Sequence, residues 1–268
     1  MVTLLGFSDA SSGSSACIIR DGVVLAAIDE ERIRRRKHCG GFPELAIKEV
    51  IRIAKINPSD IERVAIGYKE ILLPLYIKQT TLNQRNITVN PIKSWKDRQG
   101  IGLFEKYYAY SHKSKFLKWI NYSTTQSMIR SALSKLNINA PITRYDHHTC
   151  HAATAALTSG WNKCLVITAD GRGDGITSTV SIFENNELKQ LSHSTVESSL
   201  GNFFGAVTEA IGFKYGDGEG KTEALSAFGK ETKAYNILKN YFHVEELEIK
   251  GKLDPHYRNI SLKFLDLL

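Results

Sequence analysis

The segment CLVITADGRGDGITSTVSIFENNEL, residues 164–188, consists of an apolar stretch, a glycine-rich loop with two aspartates, an alternating stretch and an Asn-Asn turn. The segment VTLLGFSDASSGSSACIIRDGVVL, residues 2–25, has the same order, with a serine-rich loop after Asp9 and an Asp21-Gly22 turn. Alternation of apolar and polar residues predicts strands, and Asp-Gly is a strong signal of a tight hairpin. A unit that recurs in this way predicts two related lobes with a cleft between them.

Helices are predicted between these strands and further strands. Pro43 starts a helix whose apolar residues form one stripe over residues 46–54. Ser59 and Glu62 have the spacing of a capping box for one further turn. The mixture of helices and strands indicates an α/β fold. The remaining elements of the first half are predicted as strands at residues 63–67 and 141–145 and a helix at residues 124–136.

The composition limits the class of protein. A chain of 268 residues with 42% hydrophobic content can form one large domain or two small ones. Its N-terminus lacks a signal-peptide pattern and no apolar run approaches ~18 residues, which predicts a cytoplasmic protein without a membrane span. The four cysteines form no CxxC pair and are predicted to be small, buried or partly buried thiols.

The net charge of +7 is concentrated in one basic segment. Residues 69–118 contain ten lysines and arginines against three acidic residues, with aromatic residues between them. Basic and aromatic residues together can line a groove for nucleic acid, because they neutralise phosphates and stack on bases. The alternative is a solvated helical insertion, over residues 69–120, whose aromatic side chains pack inward.

The run His147-His148-Thr149-Cys150-His151 lies between a predicted strand and an apolar helix. If the helix begins at His147, then His147 and His151 are one turn apart on one face, close enough for both imidazoles to bind one metal ion. Pairs of histidines at this spacing also occur by chance on surface helices. The spacing alone therefore leaves both interpretations open.

The run Asp170-Gly171-Arg172-Gly173-Asp174-Gly175 follows an apolar strand and favours the metal interpretation. Glycines let the backbone approach a phosphate and expose amide donors, and an aspartate at a strand end can bind a metal ion or its water. Two imidazoles and a carboxylate suit iron(II), zinc or manganese, so the donor set does not select one metal. A glycine turn with solvated aspartates is the alternative.

The run Gly216-Asp217-Gly218-Glu219-Gly220-Lys221 is a third glycine-rich turn, and an apolar helix follows it. Lys221 near a helix N-terminus can pair with a phosphate, since backbone amides and the helix dipole favour anions there. The spacing is not that of a Walker A motif, because Tyr215 occupies the position of its first glycine.

Taken in order, five motifs resemble those of the carbamoyltransferase family that includes the nodulation-factor, cephamycin and aminoglycoside O-carbamoyltransferases. The basic segment matches this family poorly. The matching stretches are Asp29-Glu30-Glu31-Arg32 with Lys37-His38 and Gly41-Phe42-Pro43, then residues 147–153, residues 170–175, Ser199-Leu200-Gly201, and Gly218-Glu219-Gly220-Lys221.

This resemblance implies an α/β fold of the actin-like, sugar-kinase-like type with duplicated ribonuclease-H-like lobes, related to the universal tRNA threonylcarbamoyltransferase. We expect the first lobe at residues 1–160 and the second, incomplete at its C-terminal end, at residues 161–268. In the family, an iron-type metal is held by the residues matching His147, His151 and Asp170 and by a further aspartate.

The resemblance also implies the reaction. The family transfers a carbamoyl group from carbamoyl adenylate, made from carbamoyl phosphate and ATP by a separate domain, to a hydroxyl of a small-molecule acceptor. Expected partners are therefore the adenylate, the acceptor and an adenylate-forming domain in cis or in trans; a homodimer stays open and nucleic acid is not expected. Candidate catalytic residues are His38, Arg172 and Asp174, and candidate nucleotide-binding residues are Gly171, Gly173, Gly218, Glu219, Gly220 and Lys221.

These assignments have plain structural alternatives. His38 can equally be a solvated surface histidine, and Glu219 can be a turn residue. Arg172 and Asp174 can brace their loop by pairing with each other. Each role therefore depends on geometry.

The first loop departs from the family pattern. Ser11-Ser12-Gly13 stands where the family usually has His-His-Asp, and a serine cannot replace a histidine as general base near neutral pH. Two alternatives to an active small-molecule transferase stay open. One is a catalytically degenerate module that binds nucleotide or metal, and the other is a tRNA-modifying enzyme of the threonylcarbamoyl type, which the basic segment would suit.

Overall fold

The computed structural model describes residues 1–9, 13–70, 73–84, 111, 114–230, 233–253, 260, 261 and 264. The chain forms two compact units, Met1–His147 and His148–Leu268. Most of the insertion predicted at residues 69–120 lies outside the described residues, and so do Ser11 and Ser12 of the first loop.

The sheet of the first unit is formed by β1 (Thr3–Asp9), β2 (Ser14–Arg20), β3 (Val23–Asp29), β4 (Arg63–Ile66) and β5 (Ile142–Arg144). The strand order is β3-β2-β1-β4-β5, with β1, β2 and β3 antiparallel in succession and β1, β4 and β5 parallel. Asp21 and Gly22, at φ 49° and 82°, form the predicted tight turn between β2 and β3. An antiparallel meander on one side of β1 and parallel strands on the other agree with the ribonuclease-H-like lobe that the resemblance implies.

The helices described in the first unit are α1 (Glu30–Arg34), α2 (Glu44–Ala54), α3 (Leu73–Gln84) and α4 (Lys115–Ser134). The predicted apolar stripe of α2 is confirmed, because Ala46, Ile47 and Val50 are fully buried. They share one core with Leu5 of β1 and Ile66 of β4. Helix α2 therefore covers the sheet through the face that the sequence pattern indicated.

The capping box after α2 lies two residues earlier than predicted. Asn57 and Asp60 form it, and the Asn57 amide donates to Asp60 Oδ2 at 3.0 Å. Pro58 fits the first position of this 3-10 turn, which places the cap at Asn57. Glu62 Oε1 instead accepts a hydrogen bond from the backbone amide of Thr3 at 3.1 Å, and so joins the segment before β4 to β1.

Glu30 is a fully buried carboxylate at the start of α1. It accepts hydrogen bonds from Arg34 Nε at 2.7 Å and from the backbone amides of Ala46 and Leu45 at 2.7 and 3.3 Å. Those amides belong to the first turn of α2, whose N-cap, Pro43, makes no side-chain cap hydrogen bond. A carboxylate there satisfies unpaired amides and complements the helix dipole. Glu30 therefore caps α2 and joins it to α1.

The second unit contains a second meander, formed by β6 (Lys163–Gly173), β7 (Ile176–Glu184) and β8 (Glu187–Thr195). These strands pair antiparallel in the order β6-β7-β8. Asn185 and Asn186, at φ 54° and 60°, form the turn between β7 and β8. The predicted repetition of strand, tight turn and strand is therefore confirmed, and the fold is α/β.

The other elements are α5 (His147–Thr158), which starts at the last residue of the first unit, α6 (Leu200–Ala210), α7 (Glu219–Ser226), α8 (Lys233–Leu238), β9 (Phe242–Glu245) and β10 (Glu248–Gly251). Helix α5 packs through Ala152 and Ala156 in one core with Val166 of β6 and Phe183 of β7. This contact holds α5 against the strand that carries Asp170. Among the described helices, none is both long and apolar enough to cross a bilayer.

The described part of the basic segment has both buried and exposed aromatic side chains. Tyr76 is only 2% exposed, as inward packing predicts, whereas Phe116 and Trp119 are 66% and 64% exposed. The rings of Phe116 and Trp119 stack with their centroids 6.4 Å apart on α4. The inward-packing interpretation is therefore wrong for this pair.

The cysteines are free thiols, with Cys39 buried and the other three partly buried, as predicted. Burial raises the pKa of the Cys17 thiol, and a hydrogen bond with the backbone of Gly6 opposes the shift. A raised pKa keeps a thiol protonated near neutral pH, and only the thiolate is a strong nucleophile. Cys17 is therefore a packing residue.

Candidate metal centre

Three donor side chains meet where α5 begins and β6 ends. His147 and His151 lie one turn apart on α5, and Asp170 lies near the end of β6. Their donor atoms are all within 4.8 Å of one another, and His151 Nε2 is 3.6 Å from Asp170 Oδ2. Helix α5 begins at His147, which is the condition under which the sequence predicted a shared face for the two histidines.

The donor set and its spacing fit a divalent metal ion. Ligand atoms bound about 2.1 Å from one ion are at most about 4.2 Å apart, so small side-chain rotations bring these three donors within reach of a shared ion. Imidazole and carboxylate are ligands for iron(II), zinc and manganese. The side chains of His151 and Asp170 are 51% and 38% exposed, so an ion held here would be open to substrate.

Asp170 also governs the protonation of His151. Its hydrogen bond to the imidazole raises the pKa of His151, partial burial of the ring opposes the shift, and the carboxylate charge adds to it. A metal ion binds imidazole in the neutral form and so takes the place of that proton. The carboxylate therefore favours a cation at this position, whether a proton or a metal ion.

Asp170 lies in a bulge near the end of β6. The ladder between β6 and β7 is regular from Lys163 to Ala169, is then interrupted, and resumes with the pair Gly173 and Ile176. A bulge releases a side chain from the regular alternation and changes its direction. The predicted glycine loop is shorter than expected, because β6 continues through it and only a two-residue turn separates β6 from β7.

The Ser199-Leu200-Gly201 motif, at the start of α6, holds the backbone beside Asp170. The Ser199 hydroxyl donates to the Gly171 carbonyl oxygen at 2.6 Å and accepts the Asn202 amide at 3.0 Å, so it also caps α6. A Cβ atom on Gly201 would lie 2.5 Å from the Gly171 nitrogen and 2.7 Å from its Cα. Only a glycine lets α6 approach the bulge this closely.

We expect Gly201→Ala to weaken metal binding by roughly 10–100-fold, the range for losing a group that orients a metal ligand. The added methyl group must displace the backbone of Gly171 and, with it, Asp170. The affinity is measured by competition with a chromophoric chelator. Gly220→Ala, in the first turn of α7, is the matched control because its Cβ would meet no atom within 4 Å. Equal affinities in the two variants would contradict this role of Gly201.

The candidate nucleotide-binding residues of the third glycine turn make local contacts. Gly218 is the N-cap of α7, and Glu219 Oε1 accepts a hydrogen bond from the Gly216 amide at 2.6 Å. The Lys221 Nζ atom lies 5.6 Å from the centroid of the Phe213 ring. Glu219 therefore makes a contact within the turn, and nucleotide binding by Glu219 and by the rest of this turn stays a prediction.

The three candidate catalytic residues lie in different local settings. His38 is an exposed residue of the first unit with φ 57°, and its amide donates to Glu31 Oε2 at 3.0 Å. Arg172 lies exposed in the bulge, and Asp174, at φ 53°, begins the turn into β7. These positions do not test a catalytic role, so the three assignments stay predictions.

Two side chains beside the site were not predicted from the sequence. The Tyr68 ring stacks on His147 with centroids 4.2 Å apart, and its hydroxyl is 3.4 Å from His147 Nε2. His148 is fully buried and contacts the Thr168 hydroxyl and the Ile176 carbonyl oxygen. The run of adjacent histidines was a signal for His148, whereas Tyr68 is 79 positions from His147 and no local pattern joins them.

Known proteins match most of this chain. A protein of Synechocystis sp. is 27% identical over 245 residues, which cover 90% of this chain and 37% of that protein. Nodulation protein NolNO of Sinorhizobium fredii is 23% identical over 230 residues, which cover 86% of this chain and 30% of NolNO. The chain thus spans well under half the length of these relatives.

Among solved structures, component A of (R)-2-hydroxyglutaryl-CoA dehydratase from Acidaminococcus fermentans is a distant likeness. Its TM-score is 0.41 at 12% identity, over 89% of this chain and 65% of that one. The sequence model of the family described as carbamoyltransferase N-terminus matches residues 4–265, and all five motifs quoted above fall inside that range. The chain therefore belongs to the carbamoyltransferase family, within its N-terminal domain.

Proposed function

We propose that the protein transfers a carbamoyl group from carbamoyl adenylate to a hydroxyl of a small-molecule acceptor. Membership of the family supports carbamoyl transfer in general. The observation that supports a metal-assisted reaction is the cluster of His147, His151 and Asp170, whose donor atoms lie within 4.8 Å of one another. The resemblance favours iron(II), and the donor set also suits zinc and manganese.

The proposed reaction exchanges one bond to the carbamoyl carbon for another. The acceptor oxygen bonds to that carbon, the bond from the carbon to the adenylate phosphate oxygen breaks, and AMP leaves with the bonding electrons. The acceptor proton passes to a base, and His38 is the candidate imidazole, with Arg172 and Asp174 as candidate contacts to acceptor or adenylate. A bound metal ion supplies Lewis acidity, which orients and polarises the oxygens around it.

The nucleotide part of the adenylate is proposed to contact two glycine-rich segments. Gly171 and Gly173 in the bulge and the turn Gly218-Glu219-Gly220-Lys221 are the candidate contacts, and Lys221 places a positive charge in the first turn of α7. The adenylate itself would come from carbamoyl phosphate and ATP through a further domain, in cis or in trans. The relatives are more than twice as long as the region they share with this chain, which leaves room in them for such a domain.

Two further expectations from the sequence stay proposals. One is the division into lobes at residues 1–160 and 161–268. The other is a cytoplasmic location. The carboxyl-terminal lobe would be the part that carries Asp170 and both glycine-rich segments proposed for the nucleotide.

Carbamoyl transfer is tested by incubating the purified protein with ATP, carbamoyl phosphate labelled with carbon-14, iron(II) and an adenylate-forming domain from a relative. Each reaction contains one of a panel of hydroxyl acceptors. We expect the label in a carbamate ester whose formation requires this protein. His151→Ala should abolish the product, while His193→Ala, an exposed histidine on β8, should leave it unchanged. Absence of any labelled carbamate from metal-loaded protein would contradict transfer.

A non-catalytic role is favoured by one observation, the Ser11-Ser12-Gly13 sequence in place of His-His-Asp. In that case His38 does not replace the base that the first loop lacks, and the protein binds metal and adenylate without turnover. The same assay separates the two functions. Retention of labelled adenylate on the protein, without product, indicates a binding module.

A further inference from the structure

His148 is a fully buried histidine between the candidate ligands His147 and His151. Its Nε2 atom lies 3.0 Å from the backbone oxygen of Ile176, and its Nδ1 atom lies 2.7 Å from Thr168 Oγ1. A carbonyl oxygen only accepts hydrogen bonds, so Nε2 carries a proton and donates it to Ile176. In the neutral ring, Nδ1 then accepts from the Thr168 hydroxyl.

Thr179 orients the Thr168 hydroxyl so that it donates to His148. The Thr179 amide donates to Thr168 Oγ1 at 3.1 Å, and the two hydroxyl oxygens are 2.7 Å apart. Because Thr168 directs its own proton at His148, the hydroxyl of Thr179 donates to Thr168. All three side chains are buried, and a buried network with satisfied partners resists rearrangement.

These bonds join the elements that carry the three candidate ligands. His148 lies in the first turn of α5 beside His147, and Thr168 lies on β6 two positions before Asp170. Ile176 is the first residue of β7, directly after the turn that follows the bulge. The apolar packing of Ala152 and Ala156 against the sheet is non-directional, whereas the two hydrogen bonds of the His148 ring are directional and fix how the helix is rotated.

We propose that His148 is a positioning residue of the metal centre. Its bonds to Thr168 and to the Ile176 carbonyl set the rotation of α5 against the end of β6, so that His147, His151 and Asp170 face one point. This inference rests on the proposed metal site. It predicts that breaking the network weakens metal binding although every ligand remains.

The experiment uses Zn²⁺ alone as the probe, titrated against a chromophoric chelator, with thermal unfolding measured on the metal-free protein. Thr168→Val removes the hydroxyl and keeps the branched shape, Thr168→Ser keeps the hydroxyl, and His148→Gln removes the ring. We expect Thr168→Val and His148→Gln to bind Zn²⁺ roughly 10–100-fold more weakly than the unmodified protein. Thr168→Ser should bind with nearly the original affinity.

If the role of His148 is purely structural, the substitutions will lower the unfolding temperature and leave the Zn²⁺ affinity of the folded variants unchanged. That result overturns the positioning role and leaves the proposed function standing. If His148→Gln does not fold, the matched pair Thr168→Val and Thr168→Ser decides the question. Failure of the unmodified protein to bind Zn²⁺ overturns the metal site itself, and with it the metal-assisted reaction.

Discussion

Replacing His151 with alanine is expected to leave the protein without stoichiometric metal. The variant loses one of three donors that lie within 4.8 Å of one another, and the remaining pair cannot surround an ion. The loss of metal affinity should exceed the roughly 10–100-fold that follows removal of a residue that only orients a ligand. Elemental analysis of the purified protein, followed by a chelator competition, measures it.

The matched control for His151→Ala is His193→Ala, because His193 is also an exposed histidine but lies on β8. His147→Ala should resemble His151→Ala, and Asp170→Asn should weaken binding because an amide carries no negative charge. Full retention of metal by His151→Ala would show that the ion, if any, is held elsewhere.

Glu30→Ala is expected to lower the free energy of unfolding by about 3–5 kcal/mol, the range for removing one partner of a buried ion pair. Arg34, whose side chain is 11% exposed, would lose its carboxylate, and two amides of the first turn of α2 would lose their acceptor. Urea denaturation followed by circular dichroism measures the change. The free energy of unfolding of Glu30→Gln should lie between those of the unmodified protein and Glu30→Ala, because glutamine keeps an oxygen acceptor and loses the charge.

The matched control is Glu49→Ala on α2. Glu49 pairs with Arg52, three residues away, on the exposed face of the helix. Exposed pairs of this kind contribute little, since water competes for both charges. If Glu30→Ala were as stable as Glu49→Ala, the capping role of Glu30 would be wrong.

Local patterns predicted the parts of the fold that depend on neighbouring residues. The turns at Asp21-Gly22 and Asn185-Asn186 need left-handed backbone, which glycine, asparagine and aspartate adopt most readily. The spacing of His147 and His151 becomes a shared face once α5 begins at His147. The duplicated meander followed from these turn residues together with the alternation of apolar and polar residues in the strands.

The features that the sequence did not predict depend on contacts between distant segments. Helical periodicity cannot place Tyr68 on His147, nor bring Gly201 against Gly171. The capping box was misplaced because two boxes with the same spacing overlap, and Pro58 selects the earlier one. The exposure of Trp119 likewise depends on what packs against α4 and not on composition.

The metal centre is tested most directly by anomalous diffraction from crystals of the protein loaded with iron(II) or Zn²⁺. We predict one ion bound by a nitrogen of His147, a nitrogen of His151 and an oxygen of Asp170, at about 2.0–2.2 Å from each. An ion bound elsewhere, or no ion at all from a solution with excess metal, would contradict it.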